Sequence, residues 1–278
     1  LRMKALLLTV VAMIAFAANS LICRLALGEG LIDAASFTAV RAISGAVTLV
    51  LFVLPGWQKK EHPRVSWKSA LMLFVYLVFF SFAYLSLSAG TGALLLFGAV
   101  QLTMFTVALR SGERFSGLSW FGLAMAVLGI VYLVLPGVTA PDPMGAVLMV
   151  VAGIAWGFYS LSGRGVGNPL AATANNFLLA TPMAVLVSLL FLQEFQASGR
   201  GILLAMLSGS VTSGLGYVIW FAALKNLTAS RAATVQLSVP AIAAIGGLFV
   251  LSEPITLRLI IASVATLGGI AIVLKQKA

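Results

Sequence analysis

Acidic residues are scarce in this 278-residue chain, with seven Asp and Glu against 17 Lys and Arg, and charged residues make up only 9% of it. A soluble domain carries about 25% charged residues, so an ordinary water-facing surface is excluded. Cys23 is the only cysteine, which rules out an intrachain disulfide, and His62 is the only histidine, which leaves no Cys/His zinc centre. No GxGxxG or Walker loop opens a helix and no nucleophile–base pair is spaced for catalysis, so neither an enzyme nor a bound cofactor or metal is expected. The net charge of +10 is no nucleic-acid footprint either. The positive residues sit in short gaps between apolar runs, and no Lys/Arg stripe is interleaved with aromatics.

Apolar residues are abundant instead. They make up 61% of the chain, with a mean hydropathy of +1.11. They come in runs close to the roughly 20 residues that a helix needs to cross a bilayer. A barrel would show short alternating strands, whereas 70–89 is one continuous apolar run. Helical spans are predicted at 4–27, 33–54, 68–88, 91–109, 116–135, 144–163, 170–191, 202–224, 231–251 and 257–274. Pro55-Gly56, Pro136-Gly137, Pro141-Asp142-Pro143, Gly199-Arg200-Gly201 and Glu253-Pro254 mark turns between them. Arg2, Lys4 and the following apolar stretch to Ala15-Phe16-Ala17 also fit a cleaved signal peptide, but this segment has a partner in the second half, which favours a retained span. With ten spans, one side collects Arg2, Lys4, Lys59, Lys60, Arg64, Lys68, Arg110, Arg114, Arg164, Lys225, Arg231, Lys275 and Lys277, and the other only Arg24, Arg200 and Arg258. The positive-inside rule then puts both termini in the cytoplasm.

Sliding the chain against itself by 140 residues aligns its halves. Ser20 falls on Ser160, Arg24 on Arg164, Phe37 on Phe177 and Glu113 on Glu253, alongside Ala89/Ala229, Ala93/Ala233 and Gly129-Ile130/Gly269-Ile270. The polar matches carry the argument, because apolar ones recur by chance. Residues 1–138 and 143–278 are therefore read as two five-helix repeats. Five is odd, so the second copy enters the membrane from the opposite side. Inverted repeats of this kind are the build of many secondary transporters, since related halves can open a central site to alternate sides.

Spans five and ten carry small residues (Gly122, Ala126, Gly129; Ala262, Ala265, Gly269) and few polar ones, as a packed scaffold would. Gly153 and Gly157 give span six a further packing step. Polar groups collect elsewhere, where their cost in hydrocarbon is met by facing a wet interior. The candidate substrate-binding residues are Asn19, Arg41, Tyr76, Tyr84, Gln101, Trp156, Tyr159, Asn175, Asn176, Tyr217 and Gln236, with Trp220 near a span end. Amides and rings suit a neutral or aromatic ligand. Arg41 lies about 12 Å into its span at 1.5 Å per residue. It can either snorkel to the headgroups or hold a substrate carboxylate in two hydrogen bonds. Pro182 and Pro240 are candidate hinges, since each removes a backbone hydrogen bond inside a span. All seven acids fall in loops or at span ends, so the intramembrane relay of a proton pump is missing.

The ten spans, the two repeats, Arg41 early in span two, and Glu113 and Glu253 ahead of spans five and ten resemble the drug/metabolite transporter superfamily. The segment from Ala229 to Pro240, followed by Leu251-Ser-Glu-Pro-Ile-Thr256, is similar to the paired EamA-type domains of its ten-helix branch. That resemblance implies an all-α integral membrane protein of a bacterial inner membrane. Its spans one to four and six to nine would wall a central cavity, with five and ten outside. It further implies export of neutral amino acids, in particular aromatic ones, by alternating access. The missing acid points to uniport or exchange, and the sequence departs from the small four-helix multidrug pumps, whose first-span acid is replaced here by Phe16-Ala-Ala-Asn-Ser20. Efflux of another metabolite or drug, a channel and an intramembrane enzyme are the alternatives. The expected partners are the lipid bilayer and a small-molecule substrate, with no nucleic acid.

Overall fold

The computed structural model describes residues 2–55, 66–163, 166–224 and 234–276. Lys59, Lys60, Glu61, His62, Arg64, Arg164, Lys225, Ala229, Arg231, Ala233 and Lys277 lie outside the described residues. Within the described residues the regular structure is helical: α1 (Arg2–Gly28), α2 (Ala34–Val53), α3 (Trp67–Ala83), α4 (Ala89–Arg110), α5 (Gly117–Val134), α6 (Pro143–Ser162) and α7 (Pro169–Leu190). Span eight follows as α8 (Gly199–Leu207), a π-helical segment (Ser208–Leu215) and α9 (Gly216–Leu224). Then come α10 (Ser238–Val250) and α11 (Leu257–Gln276). Among the described residues, eight stretches are long and apolar enough to cross a bilayer, and two shorter apolar helices, Trp67–Ala83 and Thr234–Val250, occupy the positions of spans three and nine.

Capping residues set where the helices begin. Asp33, Ser66, Ser88, Ser116, Asp142, Asn168 and Ser198 each accept a hydrogen bond from the backbone N–H three residues on, which satisfies a donor that the first turn leaves open. Ser88 explains a boundary that the hydropathy conceals. The apolar run continues to 89, but α3 ends at Ala83 with Tyr84 as its C-cap, and a tight turn leads into the cap of α4. Span nine turns at Leu237, immediately before the segment carrying Pro240, where the missing proline N–H interrupts the ladder. Pro182, by contrast, lies within an unbroken α7.

The packing repeats with the chain. Span two packs on seven, four on nine and five on ten; the contact of three with six is answered by one with eight, four with six by one with nine, and three with seven by two with eight. Each of these contacts therefore recurs when every span is exchanged for the one five places along. Spans five and ten meet through glycine: a Cβ on Gly122 would stand 2.6 Å from the Gly269 carbonyl oxygen. Their outer surfaces are apolar and bare, with Leu128 65% and Val264 69% exposed, as befits helices solvated by lipid. Gly153 and Gly157 of α6 face Ala99 and Thr103 of α4.

Because the ten helical stretches alternate in direction, the start of α1 and the end of α11 fall on one face of the bundle, here called the terminal face. The turns around Glu29, Leu85, Asp142, Gln196 and Glu253 lie on the opposite, far face.

Candidate functional site

Arg41 is fully buried at the centre of the bundle. It does not snorkel. Its Nε donates to Ser213 Oγ at 3.1 Å and its Nη2 to the Tyr76 hydroxyl at 3.1 Å. The guanidinium lies 5.3 Å from the Tyr76 ring centroid and 4.9 Å from that of Phe80, within cation–π range. Nη1 has no hydrogen-bond partner among the described residues. The local backbone makes this possible. Gly209 brings the π segment so close to α2 that a Cβ there would fall on Ser44 Oγ and the Arg41 carbonyl oxygen. The wider π turn then presents Ser213 to the guanidinium, a use of π geometry common at functional sites.

Around the cation stands a set of aromatic rings. Trp156 packs against Tyr76 at 4.8 Å, Tyr217 at 4.9 Å, Tyr159 at 5.4 Å and Phe16 at 6.1 Å between centroids. Phe16 also meets Tyr217 at 6.1 Å and Trp220 at 5.8 Å, edge to face. Asn19 closes the ring on the α1 side, its Oδ1 accepting from Ser208 Oγ at 2.7 Å and Thr212 Oγ1 at 2.9 Å. The rings leave a central void of about 10 Å³, room for at most one water.

A larger space opens towards the terminal face. This cavity of about 360 Å³ has a mixed lining, with Ser69, Tyr159, Ser162, Thr173 and Asn176 among its polar members. Tyr159 belongs to both regions, stacked on Trp156 on one side and lining the cavity on the other. The far face is closed instead. Arg24 Nε donates to Glu253 Oε1 at 2.9 Å, and Arg24 Nη1 to the carbonyl oxygens of Tyr84 at 3.2 Å and Leu85 at 3.1 Å. Glu253 Oε2 accepts the Ala89 N–H at 2.8 Å. Beside this cluster, Asp33 N–H donates to the Gln196 carbonyl at 2.8 Å, Ser198 Oγ to the Leu31 carbonyl at 2.8 Å, and Ser86 Oγ to Asp142 Oδ2 at 3.0 Å.

Of the residues singled out from sequence, Asn19, Arg41, Tyr76, Trp156 and Tyr217 meet at the centre, and Tyr159 and Asn176 line the cavity. Tyr84 caps α3 within the far-face closure, against Phe80. Gln101 and Gln236 are buried, and Asn175 is half-buried on α7; none of the three lines either space. Phe16 and Phe80 were not foreseen, because an apolar ring inside a lipid-spanning helix carries no polar signal. The hydroxyls of Ser208, Thr212 and Ser213 had one: the small, polar run from Ser208 to Gly214 is unusual within a span.

Comparison with known proteins bears on the whole chain. The profile of the EamA-like transporter family matches residues 143–275. An uncharacterized protein of Pseudomonas aeruginosa is 50% identical over 274 residues, covering 99% of this chain and 96% of its own length. The threonine/homoserine exporter RhtA of Escherichia coli is 27% identical over 240 residues, 81% of this chain and 77% of the exporter. A protein of known crystal structure shares the fold, with a TM-score of 0.67 at 18% identity over 98% of both chains. Fold and matches together define a multi-pass membrane transporter. The chain belongs to the EamA-like transporter family.

Proposed function

We propose that this transporter exports neutral amino acids by alternating access, with Arg41 binding the substrate carboxylate and the aromatic ring around it receiving the side chain. The observation that carries this reading is Arg41 itself, a fully buried cation with one nitrogen unpartnered, set among rings. A buried charge is costly unless paired, and a carboxylate would supply the pairing through a geometry that guanidinium matches. The faces of Tyr76 and Trp156 offer a seat to an ammonium group or an aromatic side chain. The described acids lie at helix ends or in loops, and Glu253 is engaged by Arg24 and Ala89, so transport proceeds without a proton relay, as uniport or exchange.

The repeats, 1–138 and 143–278, would supply the two related conformations. With both termini in the cytoplasm of a bacterial inner membrane, the terminal face would be the inner one and the cavity that opens there would be inward-accessible. Substrate reaching the 360 Å³ cavity would then displace Trp156 or Tyr159 to meet Arg41. A second reading, threonine or homoserine as cargo, is favoured by the name of the Escherichia coli relative and by the hydroxyl–amide cluster of Asn19, Ser208 and Thr212.

The test is counterflow into liposomes preloaded with phenylalanine, tryptophan, threonine, homoserine or buffer, with and without an imposed pH gradient. Aromatic counterflow indifferent to the gradient is the expected result. Counterflow restricted to threonine and homoserine would select the second reading. Strict dependence on the gradient would overturn uncoupled transport, and silence with every amino acid would move the substrate to another class of metabolite.

A further inference from the structure

We infer that Arg24 and Glu253 form the latch that holds the far face shut during the transport cycle, and that its release is the step that opens the central site to that face. This inference rests on alternating access but not on the identity of the substrate.

Several independent features converge on this pair. It joins the end of span one to the turn between spans nine and ten, so it ties the first half of the chain to the second. The two side chains are 24% and 15% exposed, sheltered enough for the ion pair to matter and close enough to solvent for it to open. Each partner is also bonded to a third element. Arg24 reaches the carbonyl oxygens that α3 leaves open at its C-terminal end, at Tyr84 and Leu85. Glu253 reaches the Ala89 N–H in the first turn of α4, where an anion is favoured by the exposed N–H groups. One contact therefore locks four helix ends, of α1, α3, α4 and α10.

The backbone beside the latch is itself unusual. Ser252 adopts φ +55°, the only positive φ among the described residues other than glycine. Such a conformation costs a non-glycine residue energy and collects at switch regions. Here it turns the chain sharply after α10 and aims the Glu253 carboxylate back across Ala89. Beneath the latch lie Tyr84, fully buried, then Phe80 and Arg41. Parting Arg24 from Glu253 would thus uncover the path from the far face to the central cation.

The chain contains its own reporter. Cys23, its only cysteine, precedes Arg24, is fully buried, and lies beside Ser81 and Arg41 on that path. In intact cells and, in parallel, inside-out vesicles, the wild-type thiol should resist a membrane-impermeant maleimide. Arg24→Gln or Glu253→Gln should raise its labelling rate about tenfold from the far face, the change that about 1.4 kcal/mol of lost latch would give. Glu253→Gln keeps an oxygen for the Ala89 N–H and so separates loss of charge from loss of the cap. Arg24→Lys, which keeps a cation that can donate to Glu253 or to the Tyr84 and Leu85 carbonyls, should retain part of the protection that Arg24→Gln loses. Equal labelling of wild type and variants would overturn the latch, as would protection persisting in variants that fold and transport normally. A labelling change accompanied by no amino-acid counterflow would keep the latch and remove the proposed substrate instead.

Discussion

The two halves of the chain contribute equivalent rings to the centre but only one charge. At the 140-residue register, Phe16 answers Trp156 and Phe80 answers Trp220. Phe16 and Trp156 touch at 6.1 Å, across the bundle axis from one another. Arg41, however, falls opposite Thr181, whose hydroxyl is spent on the Phe177 carbonyl in its own helix. The second half supplies backbone irregularity in place of charge: the π segment of span eight and the turn at Leu237 ahead of Pro240 have no counterpart in α3 and α4, which are regular throughout. Under the proposed alternating access, symmetry would belong to the frame and asymmetry to the groups that recognise. Two repeats would give two related states, while a substrate with distinct ends needs a site whose two sides differ.

That comparison breaks most clearly at Arg41. Arg41→Ala should lower transport by about two orders of magnitude, because truncating one member of a desolvated charge pair costs about 2–5 kcal/mol. Arg41→Lys should recover part of it, as a point charge without the two-pronged geometry. Counterflow rates at saturating and subsaturating substrate measure this. Unchanged apparent affinity in Arg41→Ala would leave the aromatic rings as the whole of the site. A smaller effect of a different kind is expected in the frame. Gly269→Ala would press a methyl onto the Gly122 carbonyl and the Ala126 N–H, at about 1–3 kcal/mol of lost stability. Tm in detergent should fall while the transport KM of the folded fraction stays put. A changed KM would bring spans five and ten into the site.

How far these features were legible in the sequence follows from what each kind of residue signals. The helical spans and the small-residue packing of spans five and ten were readable, and Arg41 stood out as the one charge inside a span, although the sequence left both snorkelling and burial open. Long apolar runs, small residues at helical spacing and one charge in hydrocarbon have few physical interpretations. The end of α3 was misplaced by five residues because hydropathy does not register a serine cap. Among the polar candidates, Trp156 and Tyr76 were separable from Gln101 and Asn175 only by helix rotation. The apolar surroundings hide that rotation, since a lipid-facing leucine and a core leucine look alike in sequence. Arg24 and Glu253 stand out in the sequence as repeat partners of Arg164 and Glu113, yet nothing in it pairs Arg24 with Glu253 across 229 residues. Their pairing is a product of the fold.

The matched rings give the next, finer test. Among the described residues Trp156 contacts four other aromatic residues and Phe16 three, so the equivalent positions carry unequal loads. Trp156→Ala should raise the KM for an aromatic amino acid about tenfold and Phe16→Ala about threefold, given about 0.5–1.5 kcal/mol per lost ring pair. Competition by threonine should change little in either. Equal losses at the two positions would mean that the substrate sits on the bundle axis; a loss for threonine as large as for phenylalanine would point to collapse of the site in place of a lost stacking surface.

The smallest expected effect is the most telling about symmetry, because it concerns sign more than size. Span four ends with Gly112 at φ +85° ahead of Glu113, and span nine ends with Ser252 at φ +55° ahead of Glu253, at the same register. Both halves thus use a left-handed residue to turn the chain and present a carboxylate, glycine doing so without the steric cost that serine bears. If the halves exchange conformations, Glu113 takes on at the terminal face the role that Glu253 has at the far face, with the sequence counterpart of Arg24 being Arg164, which lies outside the described residues. Glu113→Gln should then favour the terminal-face-open state, opposite to Glu253→Gln. In the Glu253→Gln background, where Cys23 is accessible, adding Glu113→Gln should slow its labelling about threefold, a shift of roughly 0.6 kcal/mol. Faster labelling in the double variant would show that the two carboxylates act on one face in concert, and the exchange of roles between the halves would have to be abandoned.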